Sequence, residues 1–103
     1  MKKILVIIVL LATAGCVSLK LKEPAISDIE RMQQKVPGIT YADALKGFHL
    51  YRSKCNGCHG LHRPNEFTQK GWEHLLPEML AKGKLTDSME KKNLVDYLIA
   101  NSK

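Results

Sequence analysis

The sequence predicts a small all-α domain, on three observations. Three segments after residue 40 place apolar residues at steps of three and four, the period of an amphipathic helix. No stretch alternates apolar and polar residues between turn signals, as a half-buried strand would. Each helical segment also follows a residue that caps helices well, namely Thr40, Thr68 or Asp87. We therefore expect helices and no sheet.

The first of these helices is predicted from about Tyr41 to Lys54. Thr40 is a good N-cap, and Asp43 falls in the first turn, where an acidic side chain suits the helix dipole. The apolar residues of one face are Tyr41, Ala44, Leu45, Phe48, Tyr51 and Cys55. That face is expected to be buried.

The second helix is predicted from about Gln69 to Lys82, between Thr68 and Gly83. Its apolar stripe consists of Trp72, Leu75, Leu76, Met79 and Leu80. Pro77 lies inside this segment, and proline removes a helical hydrogen bond and clashes with the preceding turn. We therefore expect a kink there or two short helices.

The third helix is predicted from about Ser88 to Asn101. Asp87 and Glu90 have the spacing of a capping box. Its buried face is expected to contain Leu94, Tyr97, Leu98, Ile99 and Met89. Glycine, proline and asparagine between Cys58 and Thr68 indicate a loop.

Residues 1–15 have the layout of a secretory signal peptide. Lys2 and Lys3 precede the apolar run Ile4–Ala12, which is shorter than the ~20 residues that span a membrane. The junction Ala14-Gly15-Cys16 resembles that of bacterial lipoproteins, in which cleavage leaves the cysteine as the first residue, carrying diacylglycerol. The alternative is cleavage before Gly15, at an A-x-A site, which would give a soluble periplasmic protein.

The lipoprotein hypothesis predicts a lipid-anchored tether over residues 16–39, which contains a short helix capped by Ser27 or Asp28. A folded domain is expected over residues 40–103. The expected location is the periplasmic side of a bacterial membrane. Val17 stands where an aspartate commonly retains lipoproteins at the inner membrane, so the resemblance favours the outer membrane.

A folded unit of this size is expected to need a covalent or metal staple, because below ~80 residues a core alone rarely suffices. The pentapeptide Cys55-Asn56-Gly57-Cys58-His59 meets that need. Its two thiols can each add to one vinyl group of a haem, and the histidine then ligates the iron from one side. We therefore predict one covalent haem c, attached at Cys55 and Cys58, with His59 as proximal ligand.

Other uses of the two cysteines agree less well with the sequence. A zinc site needs four ligands, and no paired H-x-x-x-H follows the cysteines. A thioredoxin-like pair needs a βαβ context, and no strand is predicted. A structural disulfide would leave His59 unexplained.

The surroundings of the motif resemble the class I c-type cytochromes. Their first helix carries G-x-x-(L/I)-(Y/F)-x-x-x-C-x-x-C-H, filled here by Gly47, Leu50, Tyr51, Cys55, Cys58 and His59. An aromatic residue near the end of their last helix packs on the first helix, and Tyr97 matches it. The resemblance covers Thr40 to the end of the sequence. It implies a small helical fold wrapped around one haem, with Gly47 letting two helices approach closely.

The same resemblance implies a distal iron ligand at Met79, twenty residues after His59 and shortly before the last helix. A Met/His pair raises the reduction potential. Met89 and His74 are the alternatives, as is an open site.

Several further residues are candidates for the walls of the haem pocket. Trp72 is expected to pack on the porphyrin or bond a propionate, or else to be plain core. Pro64 is expected near the proximal ring, in a segment whose backbone carbonyls could accept the second nitrogen of His59. Phe48, Phe67 and Leu75 are further wall candidates.

The predicted function is electron transfer between redox proteins of the periplasm or membrane, without enzymatic activity. No Ser-His or paired-carboxylate arrangement is evident, so no small-molecule substrate is expected. The formal charge is +6, but the basic residues are spread along the chain, which argues against a nucleic-acid partner. The alternatives are a five-coordinate haem that binds a gas or peroxide, and a haem subunit of a larger dehydrogenase or oxidase.

Overall fold

The structure is a computed structural model, and it describes residues 21–55 and 61–103. Within these residues it contains four α-helices and no strand, which confirms the all-α prediction. The α-helices are α1 (Ile29–Met32), α2 (Tyr41–Lys54), α3 (Gln69–Lys82) and α4 (Ser88–Ala100), and 3₁₀ turns cover Ile26–Asp28 and Pro64–Glu66. None of the helices in this part of the chain is long and apolar enough to cross a membrane.

The three long helices begin at the capping residues expected from the sequence. The Thr40 hydroxyl accepts a hydrogen bond from the Asp43 amide at 3.1 Å. Thr68 and Asp87 accept in the same way from amides three residues downstream, at 3.1 and 2.9 Å. The bounds of α2 and α3 agree with the prediction, and α4 ends at Ala100, one residue earlier than expected.

Helix α3 runs through Pro77 without dividing into two helices. Proline lacks the amide hydrogen that would bond the carbonyl of Glu73. Both residues are exposed, so water can satisfy that carbonyl. A proline on the solvent side of a helix therefore costs less than one on its buried side.

The end of α3 places a non-glycine residue in the left-handed region. The Leu85 amide bonds the Leu80 carbonyl at 3.1 Å and the Lys84 amide bonds the Ala81 carbonyl at 3.2 Å, the two bonds of a Schellman motif. That motif requires positive φ at Lys84, whose φ is 54°. Gly83, expected to end the helix, is its C-cap in ordinary right-handed conformation.

Helices α2 and α4 form the main helix pair of the fold, and Gly47 lies at their point of closest approach. A β-carbon at Gly47 would overlap the Asn93 carbonyl oxygen and the Tyr97 β-carbon. Tyr97 then packs its ring against Phe48, with ring centroids 6.0 Å apart and edge to face. Glycine is therefore required for this packing, as the sequence predicted.

The core extends from this pair to α3 through aromatic rings. Tyr51 of α2 meets Trp72 of α3 edge to face, with centroids 6.0 Å apart, and both side chains are fully buried. Edge-to-face pairs contribute about 0.5–1.5 kcal/mol beyond the area they bury. The three long helices therefore share one aromatic core.

The segment before α2 packs onto this core. Met32 of α1 is fully buried and Ile39 is 2% exposed. The Arg31 guanidinium donates to Asn101 Oδ1 at 3.0 Å, and Lys35 Nζ donates to the Ser102 carbonyl at 2.6 Å. The short helix expected here is a 3₁₀ turn followed by the single turn α1, and the segment is fixed to the end of α4.

Candidate functional site

A cleft of about 320 Å³ opens where α2 ends, beside α3 and the segment that follows the C-x-x-C-H motif. Its lining consists of Tyr51, Lys54, Cys55, Leu61, His62, Phe67, Leu75, Glu78, Met79, Lys82 and Gly83. It brings together two sulfur-bearing side chains, Cys55 and Met79, that are far apart in the sequence. We call it the motif cleft.

The cleft is lined by the first residue of the motif, Cys55, and by Leu61, two residues after its last. Cys55 is the C-cap of α2, with its amide bonded to the Tyr51 carbonyl at 3.2 Å and only 8% of the residue exposed. Leu61, the first described residue after the motif, also lines the cleft. Two predicted site residues of the motif, Cys58 and His59, lie outside the described residues, as does Cys16.

Met79 is the predicted distal ligand, and it is half-buried on the cleft side of α3. Leu75, one turn earlier on α3, and Phe67 form apolar wall beside it. The two alternatives lie elsewhere: His74 is on the exposed face of α3, and Met89 is 61% exposed at the start of α4. Neither lines the cleft.

The other predicted pocket residues, Phe48, Pro64 and Trp72, are buried but do not line the cleft. Phe48 packs against Tyr97. The Trp72 indole N–H donates to the Pro64 carbonyl at 2.7 Å, so the protein itself uses this donor. Of the three, Trp72 packs edge to face against two residues that line the cleft, Tyr51 and Phe67.

The segment after the motif is held by two buried donors. The Tyr51 hydroxyl donates to the His62 carbonyl at 2.7 Å, and Trp72 bonds Pro64 as described. Two carbonyls of the stretch expected to support His59 therefore already have a partner. The hydrogen bond of the Tyr51 hydroxyl could not be predicted from the sequence, because Tyr51 matched only a position where tyrosine and phenylalanine are equivalent.

Burial keeps this tyrosine a donor. Loss of solvation on burial raises the pKa of Tyr51 well above its ordinary value, and the nearby Cys55 adds a smaller effect in the same direction. The hydroxyl therefore stays protonated across the physiological range, and its hydrogen bond to His62 does not depend on pH there.

The rim of the cleft carries charged side chains, in contrast to its apolar walls. His62 Nδ1 lies 2.7 Å from Glu66 Oε2, and this hydrogen bond lowers the pKa of Glu66. Lys82 Nζ lies 3.0 Å from Glu78 Oε1. Such exposed pairs contribute little to stability, but they set the potential at the mouth of the cleft.

The ends of two helices meet at this rim. A β-carbon at Gly83 would lie 3.5 Å from the Lys54 carbonyl oxygen, so the last turn of α3 is adjacent to the last turn of α2. Lys54 and Lys82 thereby reach the same cleft. Their positive charges suit the negative ends of the two helix dipoles.

Comparison with models of protein families, with curated proteins and with solved structures finds no match to this chain. Within residues 21–55 and 61–103, no three His, Cys, Asp or Glu side chains come together as a metal site. The cleft therefore has to be judged by its own chemistry. That chemistry is one thiol and one thioether in an apolar cavity whose rim carries charges of both signs.

Proposed function

We propose that this protein transfers electrons through one c-type haem, covalently attached at the motif cleft. One observation carries the proposal: Cys55, the first cysteine of C-x-x-C-H, and Met79 line the same apolar cleft. A thioether supplied from α3 is the second ligand that the motif lacks. Sequence separation alone does not require these two side chains to share a cavity.

The residues of the cleft suit a haem. Thiols form thioethers with the vinyl groups, and methionine sulfur is a soft iron ligand. Leu61, Phe67 and Leu75 offer apolar walls to a largely apolar ring. The volume of about 320 Å³ lies at the lower end of the range for ligand pockets.

When bound, the haem supplies reversible one-electron chemistry. The chain's own groups would hold it: the thiols of Cys55 and Cys58 by covalent attachment, His59 and Met79 as axial ligands. Tyr51 and Trp72 fix the path of the chain after the motif. With a haem in place, the apolar walls would keep water from its buried edge, which would limit the reorganisation that accompanies a change of charge.

The protein would be a carrier and not an enzyme, because His59 and Met79 would both bind the iron and leave no open site for a substrate. Lys54 on the rim offers a positive charge to an acidic redox partner. We also propose that the mature protein is a lipoprotein on the periplasmic side of a bacterial membrane, attached through Cys16.

The test combines mass and visible spectra. The denatured protein should retain the mass of one haem, and Met79→Ala should remove the sulfur-to-iron charge-transfer band of the ferric form. The same variant should lower the reduction potential and let carbon monoxide bind the ferrous form. Met89→Ala is the matched control and should change none of these.

Two results would contradict the proposal. Haem that acid–acetone extracts from the protein would exclude covalent attachment. Ready carbon monoxide binding by the unmutated protein would indicate an open iron site, and the function would then be the binding of a gas or peroxide.

A further inference from the structure

A second cleft, of about 410 Å³, lies beside the same post-motif segment, and it shares no lining residue with the motif cleft. It is formed by the start of the described chain, the segment 63–65 and the end of α4. Its lining consists of Leu21, Lys22, Glu23, Pro24, Asp28, Arg31, Arg63, Pro64, Asn65, Tyr97 and Asn101. We call this side of the molecule, together with Ile26, the N-terminal face.

Cations reach this face from three places in the sequence: Lys22, Arg31 and Arg63. Arg31 is oriented by its bond to Asn101. The acids of the cleft are Glu23 and Asp28, and Asp28 is already engaged: its carboxylate accepts from the Ala25 amide at 2.8 Å and lies 3.9 Å from Arg31. The face therefore retains a surplus of positive charge.

The turn between Pro24 and Asp28, which both line this cleft, carries the more exposed of the two exposed large apolar side chains among the described residues. Ile26 is 74% exposed in the 3₁₀ turn between Lys22 and Arg31. An apolar side chain flanked by cations is the composition of surfaces that lie in the interfacial region of a bilayer. Lysine and arginine attract anionic headgroups there, each strengthening binding about fivefold.

The short separation between Cys16 and the first described residues limits how far the N-terminal face can lie from a membrane that holds a lipid on Cys16. Leu21 follows Cys16 by five residues, which span at most about 18 Å, and the buried Pro24 follows it by eight, at most about 29 Å. The segment beyond Pro24 is fixed to the body through Met32 and the Lys35 bonds. A lipid on Cys16 would therefore keep Leu21 within about 18 Å of the bilayer surface, which makes the N-terminal face the side nearest to it.

We infer that the N-terminal face docks on an anionic phospholipid surface, with Ile26 inserted and Lys22, Arg31 and Arg63 facing headgroups. The inference rests on the lipid anchor of the proposed function. Docking fixes the orientation of the domain, and the motif cleft, lined by other residues, stays open to a partner.

The experiment uses the mature, haem-loaded protein with its own lipid, reconstituted in vesicles of phosphatidylcholine with or without phosphatidylglycerol. Spin labels are placed at Ile26→Cys or, as a matched control, at Met89→Cys, with the haem reduced to its diamagnetic ferrous form. Once Cys55 and Cys58 carry haem and Cys16 carries lipid, the introduced cysteine is the reactive thiol.

On vesicles with phosphatidylglycerol, the accessibility of the label at residue 26 to a water-soluble nickel complex should fall at least fivefold, and high salt should reverse part of the change. The label at residue 89 should be unaffected. Adding Lys22→Gln and Arg63→Gln should restore accessibility at residue 26, whereas Lys46→Gln with Lys70→Gln should not.

An accessibility at residue 26 that phosphatidylglycerol leaves unchanged would overturn the docking proposal. A mass that shows Cys16 without lipid would also overturn it, because nothing would then hold this face at the bilayer. Neither result bears on electron transfer, which the haem mass and the spectra test independently.

Discussion

At the scale of single residues, Lys84 shows how burial can override a local preference. Leu85 is 4% exposed and must reach the core after α3 ends. With Leu85 bonded to the Leu80 carbonyl, the left-handed position of the motif falls on Lys84 and not on the adjacent Gly83. A side chain in that conformation costs roughly 1–2 kcal/mol.

Lys84→Gly should therefore stabilise the protein by about 1 kcal/mol, because glycine adopts positive φ without the steric cost of a β-carbon. The measurement is the free energy of unfolding in urea. Lys91→Gly, within α4, is the control and should destabilise by about 1 kcal/mol, as glycine does inside helices. Equal effects of the two variants would contradict the assignment.

The roles of some residues could be predicted from the sequence and those of others could not, because some depend on neighbours in the chain and others on tertiary packing. Capping by Thr40, Thr68 and Asp87 involves an amide only three residues downstream, so a short stretch of sequence is enough to predict it. The conformation of Lys84 depends on where Leu85 is buried, and the partner of the Trp72 indole depends on a carbonyl eight residues away. Such choices are made by tertiary packing.

At the scale of elements, the pairing of α2 with α4 depends on Gly47. The atoms that a β-carbon would meet include a backbone oxygen of Asn93, which cannot move without moving α4. Alanine elsewhere in a helix is more favourable than glycine by about 1 kcal/mol. At this position the steric overlap reverses the sign.

Gly47→Ala should destabilise the protein by about 1–3 kcal/mol, the usual cost of overpacking a well-packed contact. Gly38→Ala is a matched control, because a β-carbon there would meet nothing within 4 Å. Thermal unfolding of both variants gives the comparison. A melting temperature for Gly47→Ala as high as that of Gly38→Ala would exclude the close packing.

The elements themselves could be predicted where periodicity and caps agree, which is why the bounds of α2 and α3 came out as expected. The turn α1 has only four residues, too few to show a period. Pro77 lies outside the apolar stripe of α3, so the stripe already indicated a solvent-facing proline, and the expected kink rested on the local effect of proline alone. The motif cleft could not be predicted from one segment either, because its two sulfur atoms come from different parts of the chain, Cys55 at the end of α2 and Met79 within α3.

At the scale of the whole molecule, the segment before α2 belongs to the same packed body as the three long helices. Met32 is fully buried, and the end of α4 receives hydrogen bonds from Arg31 and Lys35. The lipid tether expected over residues 16–39 thus has a packed second part. Unfolding of this segment should coincide with unfolding of the rest.

Met32→Ala tests this coupling. It should destabilise the whole protein by about 2–5 kcal/mol, the range for removing a large buried side chain. Met89→Ala, at a methionine that is 61% exposed, should have an effect below about 0.5 kcal/mol. Urea unfolding followed by both helix content and tryptophan fluorescence should show one transition, and a separate early transition for Met32→Ala would contradict a single cooperative unit.

The contact of Gly47 with Asn93 and Tyr97 also has a consequence for the order of folding. It closes a loop of roughly 46 residues, and closing such a loop costs about 3 kcal/mol of chain entropy before any contact offsets it. Each helix can form locally much faster than that encounter. The C-x-x-C-H motif lies inside this loop in the sequence, so the α2–α4 contact, once formed, constrains both ends of the segment to which the proposed haem would be attached.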